Sequence, residues 1–392
     1  MEMLANAIEI VAGLLTASGI AYGLLALLGA RSFVRDSKKR SITGFAPNVS
    51  ILKPLKGVDA HMYAAFVSHC KQTFAGEWEI LFGVASLEDA AVSMVARLRV
   101  EHPFVTIKLI ECPDRLGTNG KISTLAQLVP HAANEYLIAN DSDIRVSMDY
   151  LNGVIECFSD ENPTSIPVGL VTVPYIGRSE NTLWSRLEAL GISTDFFAGV
   201  LTARKLEGGI RFGLGSTLAT TKTALAAIGG FEALADQLAD DYEIGARLAT
   251  AGYRVELAHE VVETTVPAYT LRGFCEHQLR WSRSTRDSRR AGYIGLGVTY
   301  VLPWALATVF ASGGALWSLS LLSLALLVRV AVALTVGVGI LRDGQVLRDI
   351  LLLPLRDFFG LFFWAWSYAG DTIVWRGERF RLKRGVMERV SR

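Results

Sequence analysis

Two stretches of this chain of 392 residues carry no charged side chain, residues 10–30 near the start and residues 291–328 in the last third. About twenty apolar residues are enough for a helix to cross a bilayer, so these runs constrain the fold before any other feature does. The first predicts a membrane anchor over 8–30. A secretory signal would place its basic flank ahead of the apolar run. Here Arg31, Arg35, Lys38, Lys39 and Arg40 follow it, which favours an anchor and puts the next domain on the cytoplasmic side. The second run is too long for one crossing, and SGG at 312–314 offers a turn. Two antiparallel helices, about 294–312 and 316–341, are expected within 291–341. Arg329 falls inside the second and must snorkel, pair or face protein. The aromatic segment 350–375 is interrupted by Pro354, Arg356 and Asp357. It reads as re-entrant or interfacial, because the basic tail 376–392 belongs in the cytoplasm and a third crossing would forbid that. The expected location is the inner (cytoplasmic) membrane, with the middle of the chain facing the cytoplasm.

Between these ends, residues 45–290 alternate short apolar runs with helical patterns. NVSILKPL (48–55), WEILFGVA (78–85), TIKLIEC (106–112), EYLIAND (135–141) and VGLVTVPY (168–175) read as strands. Residues 62–74, 89–102 and 120–132 read as the intervening helices. That alternation predicts an α/β fold with a mostly parallel, doubly covered sheet, whose ligands sit at the carboxyl ends of the strands. There is no GxGxxG and no P-loop. The formal net charge of +1 gives no basis for nucleic-acid binding. The four cysteines form no CxxC and the histidines no ligand pair, so any metal is expected to be oxygen-bound.

Three polar motifs break the apolar background. Asp141 and Asp143 follow the strand EYLIA; in extended backbone they face one side and suit a hard cation, although a solvated turn would read the same. Asp240 and Asp241 open a helix, either as plain capping or as chemistry. Gln278, Arg280 and Trp281 form a QxxRW, in which Arg280 is a permanent forked cation suited to phosphate. A basic helix at a membrane surface is the other reading.

DxD, a second acidic pair and QxxRW, in that order between membrane segments, resemble the processive-type family 2 glycosyltransferases. More closely the chain is similar to the ceramide glucosyltransferase family, family 21. LKPLKG (52–57), DSDIRV (141–146), GFEALADQLADDY (230–242) and HQLRWSR (277–283) most resemble its bacterial branch associated with hopanoid biosynthesis. The resemblance implies a GT-A (Rossmann-like) domain and inverting transfer from a UDP-sugar to a lipid hydroxyl. It implies N-acetylglucosamine and a hopanoid ahead of glucose and ceramide. A divalent cation, Mg²⁺ or Mn²⁺, would be held by Asp141 and Asp143, with Asp241 as general base and Asp240 orienting it. Gln278, Arg280 and Trp281 would line the diphosphate and acceptor entrance.

Two further segments join by the same resemblance. Asn119 and Lys121 lie in a loop leading into a helix, a place where phosphate can be met. Gly215 and Ser216 correspond to the acceptor side, where small residues let a substrate approach. One departure stands out: Ser86 occupies the position where relatives carry an aspartate that contacts uracil. Either Glu88 or Asp89 substitutes through a shifted loop, or recognition of the nucleotide base is weaker than in relatives. A processive polysaccharide synthase needs a polymer channel, for which about three crossings are few. A catalytically silent assembly protein is the reading from a different class.

Overall fold

The runs expected as strands are short, β-branched and aromatic, and they pair as such. The structure, a computed structural model, describes residues 2–37, 43–59, 61–159, 166–375 and 377–390. Lys38, Lys39, Arg40 and Arg376, members of the two expected basic clusters, lie outside the described residues. The chain divides into two compact units. A sheet unit takes residues 40–178, 209–265 and 385–392; a helical unit takes 1–39, 179–208 and 266–384. Segments 179–208 and 266–290, expected inside one catalytic domain, thus group with the helices.

In the sheet unit, β1 (Val49–Pro54), β2 (Trp78–Val84), β3 (Thr106–Glu111) and β4 (Tyr136–Ala139) match the first four expected strands. β5 (Val168–Thr172) matches the fifth, followed by β6 (Tyr175–Ser179), β7 (Leu218–Thr221), β8 (Arg254–Leu257) and β9 (Val262–Val266). The main sheet runs β3-β2-β1-β4-β7-β5-β8, and β6 pairs with β9 separately. β1 is parallel to both β2 and β4, so the direction of winding reverses between them and opens a crevice at their carboxyl ends. β7 enters antiparallel to β4 and β5. Val49, Ile51, Ile80, Phe82 and Ile138 form the core under the sheet with Phe66 from the helix Met62–Cys70.

Among the described residues of the helical unit, two helices are long and apolar enough to cross a membrane, Asn6–Ser37 and Leu316–Ile340. The helix expected over 294–312 is instead bent by 55° between Arg290–Thr299 and Val301–Ala311. Pro303 explains the break: it has no N–H to offer the Thr299 carbonyl one turn back. Gly313 and Gly314 turn the chain at positive φ. Arg329 pairs inside the protein. Its Nε donates to Asp357 Oδ1 at 2.9 Å, its Nη1 to the Thr194 carbonyl at 3.3 Å and its Nη2 to Asp195. Arg356 Nε lies 3.0 Å from Asp195 Oδ2. Segment 350–375 forms the helix Leu353–Ser367 and then β10 (Thr372–Trp375). The expected basic tail is structured as β11 (Glu378–Lys383), which pairs antiparallel with β10, and β12 (Val386–Arg389), part of the sheet unit.

Candidate active site

β4 ends at Ala139, and the chain emerges through Asn140 into Asp141. Asn140 is fully buried, and its Nδ2 donates to the Ser216 carbonyl at 2.8 Å, to Thr217 Oγ1 at 3.0 Å and to the Tyr150 hydroxyl at 3.0 Å. Because β7 runs antiparallel, Leu218 stands opposite Ala139. The loop before β7, with Gly215 and Ser216, therefore meets the loop after β4. Lys53, at the end of β1 and wholly buried, donates from Nζ to the Asp141 carbonyl at 3.1 Å. Burial pushes this amine down to about 7, against the pull of Asp143 and Asp141.

Lys121 joins the two acidic pairs. Its Nζ is 2.8 Å from Asp141 Oδ1 and 3.4 Å from Asp240 Oδ2. The helix Gly120–Leu128 positions it, capped by Asn119, whose Oδ1 accepts from Ile122 N at 3.2 Å. Asn119 is buried; its Nδ2 donates to the Gln237 carbonyl at 2.9 Å and to Asp240 Oδ1 at 3.4 Å. Asp240 is thus held from both sides. The Asp241 carboxylate is held by its own neighbour, with Tyr242 N donating to Oδ1 at 2.9 Å. Its other oxygen points at Gly215: a Cβ there would lie 3.2 Å from Asp241 Oδ2. A side chain at this position would crowd that approach. Burial, with the Asp240 charge added and Lys121 opposing, pushes Asp241 up to about 6.

Asp143 turns toward β9, where Oδ2 accepts from Thr264 Oγ1 at 2.6 Å and Thr265 N at 2.9 Å. Burial raises its carboxyl above the usual carboxylate range, and the Asp141 charge adds to that. Among the described residues, no three His, Cys, Asp or Glu side chains form a metal cage. Asp141 and Asp143 are the two carboxylates here that could serve as donors to a cation. Two hard carboxylates, one with a charge its surroundings disfavour, fit a small divalent ion that takes its remaining ligands from substrate phosphates.

The other candidates fall in two places. Ser86 is exposed, and its Oγ accepts from Glu88 N at 3.2 Å. Asp89 is committed to backbone: its carboxylate accepts from Gly57 N at 2.9 Å and from Ala91 N at 2.9 Å. Glu88 is the exposed acid of the two. Gln278, Arg280 and Trp281 sit on the helix Leu271–Ser288 of the helical unit. There Gln278 is buried and donates to Glu188 Oε2 at 3.1 Å, which also lies 2.9 Å from His277 Nδ1. Arg280 is half-buried, and the Trp281 ring lies 5.0 Å from that of His277. Glu188 and Asn140 escaped sequence reasoning. Asn140 adjoins the acidic stretch that begins at Asp141 and Glu188 follows Arg186 by two residues, and neither spacing says what the side chain bonds.

Known proteins match both sequence and fold. The model of Glycosyl transferase family 21 matches residues 11–387. Ceramide glucosyltransferase 1 of Caenorhabditis elegans is 21% identical over 364 residues, covering 88% of this chain and 74% of the relative. Ceramide glucosyltransferase 3 of the same organism is 25% identical over 235 residues, 60% of this chain and 50% of the relative. Among solved structures, the mannosyltransferase PcManGT from Pyrobaculum calidifontis, in complex with GDP-Man and Mn²⁺, aligns with a TM-score of 0.55 at 20% identity. That alignment covers 92% of this chain and 97% of that one. The likeness shows a mixed α/β glycosyltransferase fold similar to GT-A. With the family model matched along nearly its whole length, the chain belongs to glycosyl transferase family 21.

Proposed function

We propose that this protein transfers a sugar from a UDP-sugar to the hydroxyl of a membrane lipid, with inversion at the anomeric carbon. The observation that carries the reading is Lys121, one ammonium paired with Asp141 and Asp240, which brings the two acidic pairs to one place. Asp241 is the general base. Its Oδ2 faces the Gly215 loop, the side from which an acceptor hydroxyl would come, and its raised proton affinity suits proton abstraction near neutral pH. Asp240, gripped by Asn119 and Lys121, orients it. Asp141 and Asp143 are the residues that would hold a divalent cation, which when bound neutralises charge growing on the leaving diphosphate. The solved mannosyltransferase with its Mn²⁺ supports that assignment by analogy of fold. Lys121 adds a positive charge beside the same diphosphate. Gln278, Arg280 and Trp281 are assigned to the donor and acceptor entrance on the family pattern. Glu88 is assigned to contact with the uracil, because Asp89 is occupied by Gly57 and Ala91.

The two long apolar helices support an acceptor that lies in the bilayer, and the basic residues after the first favour an inner-membrane protein with the sheet unit in the cytoplasm. The four motifs support a hopanoid acceptor with an N-acetylglucosaminyl donor. The names of the two worm relatives favour a second reading, glucose to ceramide. Purified protein incubated with UDP-N-acetylglucosamine or UDP-glucose and with hopanoid or ceramide, read by mass spectrometry, decides between them. No product from any pair, together with no thermal stabilisation by UDP and Mn²⁺, would sink the transferase reading.

A further inference from the structure

β11 carries its three cations on one side, with Glu378 half-buried on the other. Phe380 and Leu382 are buried, while the alternating Arg379, Arg381 and Lys383 are exposed. At about 3.3 Å per residue, neighbouring cations on that side are about 7 Å apart, with no acid between them. Arg384 follows, also exposed. Arg381 meets Asp371 Oδ2 at 3.2 Å and its side chain is still 62% exposed. The hairpin is anchored from below: Arg286 Nη1 donates to the Gly370 carbonyl at 3.0 Å and Arg283 to the Thr372 carbonyl.

Just before it in the chain, the helix Leu353–Ser367 exposes Phe358, Phe362 and Trp366, and Tyr368 follows it. Spacings of four put the first three on one helical stripe. Aromatic rings favour the boundary between hydrocarbon and headgroups, and clustered cations favour a negatively charged leaflet. An aromatic stripe running straight into a cationic strand has the order of layers that such a boundary presents.

We propose that the exposed side of β11 binds the phosphate headgroups of anionic phospholipids in the leaflet that the aromatic stripe enters. This rests on the membrane part of the proposed function and not on the sugar transfer. A test that needs no turnover is hydrogen exchange of the full chain in nanodiscs, made of phosphatidylcholine alone or mixed with phosphatidylglycerol. Exchange over 377–384 is expected to slow in the anionic discs by about fivefold for each engaged cation, and the slowing should vanish in high salt and in R379Q/K383Q. That variant leaves the Arg381–Asp371 pair intact, and its exchange in pure phosphatidylcholine reports whether the hairpin is still formed. If it is not, R379Q and K383Q separately should each lose part of the slowing. Equal exchange in the two discs would overturn the proposal. So would slowing by inorganic phosphate alone in phosphatidylcholine discs, or slowing that persists in R379Q, K383Q and the double variant.

Discussion

Each unit of this protein buries a cluster of charges, and the two clusters are built to opposite plans. In the helical unit, Arg329 and Arg356 face Asp195 and Asp357, two cations against two anions, within helices otherwise apolar. In the sheet unit, Asp141, Asp240 and Asp241 converge on Lys121, while Asp143 and Asp141 act on the buried Lys53. The first set balances and closes on itself. The second is left with excess negative charge, which adds to burial, the larger cause, in raising the Asp143 and Asp241 carboxyls. A balanced buried set costs stability when broken and does no chemistry. An unbalanced one holds free energy that a cation or a transferred proton can release.

The contrast is testable, first where the effect is largest. Asp241→Asn should lower turnover by about 10²–10⁴-fold, the range for a lost general base, with little change in thermal unfolding. A comparable loss of stability in place of activity would make Asp241 structural. Arg329→Met should do the reverse. It leaves Asp195 and Asp357, two anions, against Arg356 in an apolar setting and should cost about 3–5 kcal/mol, read as loss of the folded protein in detergent melts. Combining it with Asp357→Leu should restore part of that stability, since removing both partners leaves less charge uncompensated.

Smaller effects sharpen the same distinction. Glu188→Ala strips the buried Gln278 of its acceptor, and a loss of about 1–3 kcal/mol of stability is expected. A fall in transfer with unchanged melting would instead place Glu188 in the chemistry. For pH, Asp241 is held up to about 6, so the active, deprotonated base is lost as pH falls through about 6, and kcat/KM should decline there. Stability should move the other way from this group. The folded state binds its proton more tightly than the unfolded chain, so acidification from about 6 toward 4 relieves the buried charge. Parallel pH curves of rate and melting temperature check the opposition. Gly215→Ala is the mildest change. Its methyl would stand 3.2 Å from Asp241 Oδ2, a crowding of a few tenths of an ångström, and a drop in rate of up to about tenfold is expected.

Much of this arrangement was legible in the chain. β1 to β4 announce themselves through β-branched runs, and the turn at Gly313–Gly314 through its glycines. Asp141 was placed at a strand end because the preceding run is apolar. β7 was not legible: LATT is four residues long, with no period to separate it from loop, and its antiparallel direction depends on which strands leave a gap. That direction puts Gly215 and Ser216 beside Asn140. The bend before Val301 was missed although Pro303 was in plain sight, because an uncharged run reads as continuous when hydropathy alone is weighed. Asp89, considered as a base-recognising acid, is spent on Gly57 N. Nothing in the spacing of the two residues foretells that bond.

What the amino-acid order determined by itself is local and additive: which segments are apolar enough for a bilayer, which alternate as strands and helices, and where carboxylates interrupt them. Hydrophobicity and backbone preference act over a few residues and can be read there. Which charges balance was decided only by the tertiary structure. Lys121 could neutralise Asp141, Asp240 or nothing until the sheet closed, because a Coulomb interaction depends on distance in space and on burial, and neither is written in the spacing along the chain.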